Sequence, residues 1–307
     1  MPNTIQTSIN FVQAALGFWI PTIGTGNEPA LSAANLTQQV MTSPPFRFPW
    51  NRNTASFQTT QFVQDYTVNV TDFGFLETGT FQPSAGITNV AGSGTTATMI
   101  AANSFKPGAL VTITGLTNVA FNVTNQPILT ASATQFTFAS ATSLASTPDA
   151  GLALSGRIGP LNIKNTTPLG ESSDSQQPIT IAVQLNTVGT SIKVRLLGTP
   201  NARYNIVLWY QKFAPLLSAL TGSTGQWIAP DYFSYVYNRG FLAHLYEARG
   251  DVRAQQEKIA FAAALLATTE GLTDTEVNIF LAQYLANPRA MESLQRKTAQ
   301  GIQARSQ

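Results

Sequence analysis

The chain has 307 residues, no cysteine, one histidine and a formal net charge of +2. Hydrophobic residues make up 43%, but charged residues only 10%, against roughly 25% in soluble domains generally. This composition predicts a globular protein with room for two domains, and it argues against disulfides, thiol chemistry, cysteine-based metal sites and a strong nucleic-acid field over the whole molecule.

The first part of the chain, residues 1–84, is predicted to be the first part of a host domain. Residues 29–41 have helical spacing, with Pro29 in the first turn. An aromatic, basic elbow, residues 46–53, follows, and alternation then predicts strands at 62–70 and 72–81. No secretory signal is expected, because the first residues have no basic segment followed by an apolar one. No membrane span is expected, because the apolar stretch at 11–23 is interrupted and too short.

Residues 85–156 differ from both flanks, since their only charged residues are Lys106 and Asp149. Short apolar runs predict strands within 86–102 (broken at 92–94) and at 110–114, 127–133, 135–138 and 151–155. About five short strands predict a small sandwich or barrel. We therefore predict an all-β domain inserted in a host domain.

The host domain is predicted to resume over 157–286. Strands are predicted at 179–185 and 191–196, and Lys193 and Arg195 share the face of the second strand opposite its apolar residues. Residues 204–214 have helical spacing, although 205–210 also fit a strand. Helices are predicted at 231–248, with Asp231 as N-cap, and at 252–268 and 273–285.

The last of these helices carries a capping box, Thr273 and Glu276. Residues 287–307 have few apolar residues and more basic than acidic ones, which predicts an exposed basic tail. The predicted fold class is thus α+β: a β-region and a C-terminal helical bundle form the host domain, and an all-β sandwich is inserted in it.

Few residues suit catalysis. His244 is the only histidine, no Gly-x-Ser-x-Gly turn is present, and a catalytic zinc needs more histidine or cysteine ligands, so no metal or cofactor is predicted. Paired carboxylates for glycoside hydrolysis stay open as an alternative, with Asp65, Asp72 and Glu77 as candidates. The expectation is a protein that is not an enzyme.

Two other residue sets have two interpretations each. An aromatic series in the host domain fits core packing or a protein–protein interface. It comprises Trp50, Trp209, Tyr210, Trp227, Tyr232, Phe233, Tyr235 and Tyr237. The cations Arg47, Arg52, Lys193 and Arg195 fit a solvated strand face or contact with DNA phosphates.

The order of several segments resembles a known family. These segments are Phe46-Arg-Phe-Pro-Trp-Asn-Arg-Asn, Gln64-Asp-Tyr-Thr-Val, Thr190-Ser-Ile-Lys-Val-Arg-Leu-Leu-Gly-Thr-Pro-Asn, Tyr204-Asn-Ile-Val-Leu-Trp-Tyr-Gln-Lys and Trp227-Ile-Ala-Pro-Asp-Tyr-Phe. They resemble head-to-tail connector (portal adaptor, or neck) proteins of short-tailed bacteriophages. Segments beginning at Gly108, Ala120 and Gln135 resemble the Ig-like modules inserted in phage virion proteins.

The resemblance implies a non-enzymatic virion protein, made in the host cytoplasm, that forms a homo-oligomeric ring (a dodecamer by resemblance). Its partners would be the portal protein and other tail or neck proteins, with passive contact to packaged DNA and none to a membrane. The implied portal or subunit interface comprises Trp227, Asp231, Tyr232, Phe233, Arg289, Arg296, Lys297 and Arg305. Lys193 and Arg195 would face the lumen.

Three alternatives stay open. The chain could be a tail or receptor-binding protein that uses the Ig-like module, a capsid decoration protein, or an envelope-degrading enzyme.

Overall fold

The computed structural model of the chain describes residues 3–16, 28–156, 158–164, 175–177, 180–185, 191–269 and 271–285. The chain divides into two compact units. One comprises Met1–Arg52 and Gln211–Gln307, and the other comprises Asn53–Tyr210.

The first unit is helical. Its helices are α1 (Ile5–Leu16), α2 (Ala30–Thr42), α3 (Ser234–Ala248), α4 (Ala254–Thr268) and α5 (Asp274–Leu285). Short 3₁₀ turns lie at Pro49–Asn51, Ser223–Gly225 and Asp231–Phe233. Of the five α-helices in the described ranges of this unit, four match predicted segments. Helix α1 was not predicted, although Ile5, Ile9 and Val12 recur at helical spacing and are all buried.

The aromatic elbow belongs to the core of the helical unit. Phe46 meets Phe280 edge to face with ring centroids 4.7 Å apart, and Phe48 meets Phe233 in the same way at 5.2 Å. Both elbow phenylalanines are almost fully buried. The elbow therefore anchors the first segment of this unit against its C-terminal helices.

The second unit is all β. Its strands are β1 (Arg52–Gln58), β2 (Asp65–Asn69), β3 (Phe73–Ser93), β4 (Thr96–Ile100), β5 (Leu110–Thr114), β6 (Gln126–Ala131), β7 (Gln135–Ala139), β8 (Ser143–Ser155), β9 (Gly159–Lys164), β10 (Ser175–Gln176), β11 (Thr180–Leu185), β12 (Ser191–Leu197), β13 (Thr199–Pro200) and β14 (Tyr204–Lys212). One sheet runs β2-β12-β11-β9-β3, and β14 joins β1 to β3.

Residues 204–212 form a strand, so the helical interpretation of this segment is wrong. Tyr204, Ile206, Leu208 and Tyr210 are buried, and the residues between them are more exposed. A period of two residues places these side chains on one face of a sheet. The predicted strands at 179–185 and 191–196 are confirmed as the antiparallel pair β11–β12.

Six strands close into an antiparallel barrel in the order β3-β4-β7-β6-β5-β8, and β8 pairs back onto β3 from Ser84 to Ser93. Its interior is filled by apolar side chains, among them Met99, Phe121, Phe136 and Phe138, each fully buried. The chain is thus mixed α+β with a closed barrel. Of the predicted sandwich or barrel, the barrel is found, and the Ig-like part of the prediction is not confirmed.

The barrel does not begin at a linker. Strand β3 continues for 21 residues from the sheet into the barrel, across the predicted boundary at 84/85. The predicted insertion, 85–156, lies within the second unit, whereas the predicted host domain, 1–84 with 157–286, includes parts of both units. The domain assignment therefore stays a prediction, and the predicted tail at 287–307 lies outside the described residues.

Candidate functional site

Two of the predicted interface residues are core residues. Trp227 is 5% exposed and Phe233 is 8% exposed. The indole N–H of Trp227 donates to Ser8 Oγ at 3.0 Å, and its ring stacks on Tyr237 with centroids 4.9 Å apart. Burial and a satisfied N–H give Trp227 a packing role within the helical unit.

Asp231 is exposed, but it does not cap α3 as predicted. The helix begins at Ser234 and has no side-chain cap, because the 3₁₀ turn Asp231–Phe233 separates Asp231 from the first helical turn. Asp231 Oδ1 instead accepts from Asn3 Nδ2 at 3.0 Å. Asp231 therefore holds the N-terminal segment of the helical unit beside the start of α3.

Two tyrosines and an arginine form a surface stripe along the start of α3. Tyr232 is 75% exposed and Tyr235 is 61% exposed. Tyr235 and Arg239 stand at positions i and i+4 of α3 and lie on one side of that helix, and Tyr232 precedes them in the 3₁₀ turn. We call Tyr232, Tyr235 and Arg239 the tyrosine–arginine stripe.

The arginine of the stripe is held in place. Its guanidinium carbon lies 5.5 Å from the centroid of the Tyr235 ring, and its Nη1 donates to Glu257 Oε2 at 2.8 Å. The hydrogen bond to Glu257 raises the pKa of Arg239. The side chain is therefore a fixed cation over an aromatic ring. Arg239 was not among the predicted site residues, although its spacing of four residues from Tyr235 on the predicted helix was a usable signal.

The predicted lumen residues Lys193 and Arg195 lie together on the second unit. They line a groove of about 340 Å³ along β2 and β12. Lys193 is paired in register with Thr67, and Arg195 with Asp65. Arg195 donates from Nε and Nη2 to the two oxygens of Asp65, each at 2.7 Å. That bond to Arg195 lowers the pKa of Asp65, and the positive charge of Lys193 lowers it further.

The candidate carboxylates of the enzyme alternative have structural contacts. Asp65 binds Arg195, and Asp72 accepts hydrogen bonds from Asn53 Nδ2 at 3.1 Å and from the Tyr210 hydroxyl at 2.7 Å. Burial, followed by the bond to Asp72, raises the pKa of Tyr210. Glu77 is half-buried in β3. Asp65 and Asp72 thus bind different partners, and the paired-carboxylate hypothesis stays a hypothesis.

His244 lies inside the helical unit, with only 3% of its surface exposed. Its Nδ1 lies 2.8 Å from Thr37 Oγ1, and its Nε2 lies 3.1 Å from the Tyr284 hydroxyl. Burial, and secondarily the charge of Lys258, lowers the pKa of His244 to about 3. The imidazole is therefore neutral at physiological pH, with both ring nitrogens engaged.

Within the described part of the chain, no group of three or more histidine, aspartate or glutamate side chains is arranged to hold a metal ion. No helix in that part is long and apolar enough to cross a bilayer. The predicted interface residues Arg289, Arg296, Lys297 and Arg305 lie outside the described residues.

The chain matches no protein-family model, and a search of curated proteins finds no significant match.

Proposed function

We propose that the chain is a structural virion protein of a tailed bacteriophage, a head-to-tail connector that links the portal to the tail. The order of its elbow, β-region and helix-opening segments supports this proposal through the family resemblance. In this role the protein forms a homo-oligomeric ring, binds the portal protein and a tail or neck protein, and catalyses no reaction. Its location would be the neck of the virion.

The tyrosine–arginine stripe is the observation that carries the proposal. Tyrosine and arginine are enriched at protein–protein interfaces, where large rings and a planar guanidinium become buried together. Tyr232 and Tyr235 expose most of their surface, and Arg239 is fixed over the second ring. A stripe of this kind fits a partner surface with apolar and acidic groups.

Every subunit of a closed ring makes the same pair of contacts with its two neighbours. In a closed ring each subunit uses one surface toward one neighbour and a different surface toward the other. The stripe would form one side of such a contact, or of the contact with the portal. Of the predicted interface residues, Asp231 and Tyr232 are exposed and fit this role, whereas Trp227 and Phe233 are buried in the core of the helical unit, and the Phe233 ring lies beside Tyr232 with centroids 5.0 Å apart.

The experiment is a binding assay between the purified chain and the portal protein of the same phage. Tyr232→Ser and Tyr235→Ser, together, should abolish ring formation or portal binding without lowering the melting temperature. Val252→Ser is the matched control, because Val252 is a 94% exposed apolar side chain of the same unit and lies outside the stripe. Unchanged assembly and portal binding in the double variant would refute the role of the stripe.

A second candidate function, a tail or receptor-binding component, is favoured by one feature of the barrel. Leu110 and Pro127 are register partners on β5 and β6, and both are exposed, as is Leu129. This apolar patch lies on a module with almost no charge. The Ig-like classification of the module stays a prediction within this second candidate. Binding of the chain to bacterial envelopes, abolished by Leu110→Ser with Leu129→Ser, would favour it over the connector.

A further inference from the structure

We propose that Phe62 is an anchor between copies of the chain, and that it inserts into a depression on the barrel of a neighbouring copy. This contact rests on the proposed function, since a connector ring needs a contact that repeats from copy to copy. It deepens that function by naming such a contact on the second unit, in addition to the tyrosine–arginine stripe of the first.

Phe62 is both exposed and strained. It lies between β1 and β2 with 64% of its surface exposed, and Val63 beside it is 39% exposed. Its φ of 65° is in the left-handed region, which a bulky side chain seldom adopts. Such strain costs folding free energy, and strained residues concentrate at functional sites. The conformation therefore indicates a binding role, and we call Phe62 and Val63 the knob.

Hydrogen bonds hold the knob in this conformation. The Phe62 N–H donates to the Pro200 carbonyl at 3.0 Å, and the Val63 N–H donates to the Thr60 carbonyl at 3.2 Å. The Tyr66 hydroxyl lies 2.6 Å from the Val63 carbonyl oxygen and accepts from the Thr60 N–H at 3.1 Å. Because the loop is already ordered, little conformational entropy is lost when a partner covers the knob.

A β-bulge lies beside a depression on the barrel. Ile87 pairs with Gly151 and Asn89 pairs with Pro148, so one residue of β3 faces two residues of β8. The depression has a volume of about 470 Å³. Its lining residues are Ile87, Thr88, Thr117, Pro148, Asp149 and Ala150. Since a cavity of roughly 150 Å³ holds a benzene molecule in a protein core, the depression has room for a phenyl ring.

The knob and the depression are chemically alike. Residues 59–64 include no charged side chain, so the knob has no cation in its loop that would favour nucleic acid or an anionic lipid surface. Asp149 brings a charge to the depression, but its Oδ1 and Oδ2 accept hydrogen bonds from the N–H groups of Thr117 and Asn118, each at 3.0 Å. An apolar ring can therefore cover the depression without leaving a carboxylate oxygen that lacks a donor.

The two halves of the contact belong to different elements of the same unit. The knob lies between β1 and β2, whereas the depression is formed by β3, β8 and the loop after β5. The knob of one copy and the depression of the next thus make a head-to-tail contact, which generates a ring when the rotation between copies closes. A second copy is the expected occupant, because the chain itself supplies both an apolar anchor and an uncharged recess for it.

The first experiment measures the native mass of the full chain over a range of concentrations. Phe62→Gly removes the aromatic ring and also the backbone strain, so it should weaken self-association about tenfold or more without lowering the melting temperature. Ala150→Lys places a charge in the depression and should weaken it similarly. Leu110→Ser, a 52% exposed residue at the start of β5 and outside both surfaces, is the control and should leave self-association unchanged.

Two mixing experiments test the direction of the contact. Phe62→Gly and Ala150→Lys, when co-expressed, should form a dimer, because one variant keeps the depression and the other keeps the knob. The chain has no cysteine, so Gln61→Cys and Thr88→Cys each introduce a single thiol. Mild oxidation should crosslink these two variants to each other, and neither should crosslink to itself.

Several results would overturn the contact. These are unchanged self-association of Phe62→Gly, an equal loss with Leu110→Ser, and no crosslink between Gln61→Cys and Thr88→Cys. A Phe62→Gly variant that loses portal binding but keeps its self-association would also overturn it, because the knob would then bind the portal.

Failure of the contact and failure of the connector proposal are distinguishable. A chain that forms a ring on the portal, but whose assembly does not depend on Phe62, overturns only the knob contact. A chain whose copies join through the knob and the depression, but which ignores the portal, overturns the connector and leaves the contact standing.

Discussion

Thr37 and His244 are joined by a hydrogen bond of 2.8 Å between Thr37 Oγ1 and His244 Nδ1, inside the helical unit. Thr37 Oγ1 also lies 2.8 Å from the Ala33 carbonyl oxygen, and His244 Nε2 lies 3.1 Å from the Tyr284 hydroxyl. When the Thr37 hydroxyl donates to Ala33, Nδ1–H donates to Thr37 and Nε2 accepts from Tyr284. The His244 ring thus links α2, α3 and α5.

This arrangement makes stability depend on pH. The pKa of His244 is near 3 in the folded chain and about 6.5 in the unfolded chain. Between these two pKa values only the unfolded chain binds the proton. The contribution of neutral His244 to the free energy of unfolding is therefore complete above about pH 6.5, and it falls by up to roughly 1.4 kcal/mol for each unit by which the pH is lowered. Denaturant unfolding between about pH 7 and 5 measures this dependence of stability on pH, because ordinary carboxylates titrate at lower pH.

His244→Gln is the matching variant, because an amide can hydrogen-bond but does not titrate in this range. The variant should be less stable at neutral pH and should show a flatter pH dependence between about pH 7 and 5. Equal loss of stability in both proteins on acidification would show that His244 is not the group responsible.

Gly240 of α3 packs closely against a residue of α2 and a residue of α4. A Cβ there would lie 2.5 Å from Thr37 Cγ2 and 2.7 Å from the Phe261 ring. Gly240→Ala should lower the free energy of unfolding by about 1–3 kcal/mol through overpacking, in spite of the better helix propensity of alanine. Ala267→Gly, at an exposed position of α4, measures how much helix propensity alone changes the free energy of unfolding. A stabilising Gly240→Ala would show that the close contacts relax freely.

Asn35 holds the segment that follows β14. Its Nδ2 donates to the Leu217 carbonyl at 3.0 Å, and its Oδ1 accepts from the Leu217 N–H at 2.7 Å. Asn35→Ala should cost about 1–3 kcal/mol of unfolding free energy, because both partly buried backbone groups lose their partner. Thermal unfolding measures the change. Gln39→Ala, one turn along the same helix, is the control, and an equal loss in both variants would rule out a specific role for Asn35.

The capping box of α5 is confirmed, and it allows a local test. Thr273 N–H donates to Glu276 Oε2 at 2.9 Å, and Glu276 N–H donates to Thr273 Oγ1 at 3.3 Å. Thr273→Ala should cost about 1 kcal/mol, and Thr275→Ala, one residue into the helix, should cost much less. Urea unfolding of the two variants compares them directly, and similar costs would mean that the box contributes nothing of its own.

The sequence predicted most of the elements, because their signals are local. Alternation identified β11 and β12, and the Thr273–Glu276 spacing identified the start of α5. Residues 204–212 fitted both periods, and only pairing of β14 with other strands decides for a strand. Barrel closure by β3 and β8 joins residues far apart in the chain, which no local pattern reveals.

Some features of the candidate sites also follow from local sequence patterns, whereas others depend on contacts between distant segments. The outward face of Lys193 and Arg195 follows from strand alternation, but the Asp65 partner of Arg195 depends on the β2–β12 register. The sequence could not distinguish the core members of the aromatic series from the exposed members. Trp227 and Tyr232 are both aromatic, and they differ in their burial. Burial depends on the packing of α1 and α2 against α3, and α1 was not predicted.

The most direct test of the connector proposal is the native mass of the purified chain, alone and mixed with the portal protein of the same phage. The proposal predicts a closed ring, or a complex with one copy of the chain per portal subunit. A monomer that stays a monomer in the presence of the portal would contradict it.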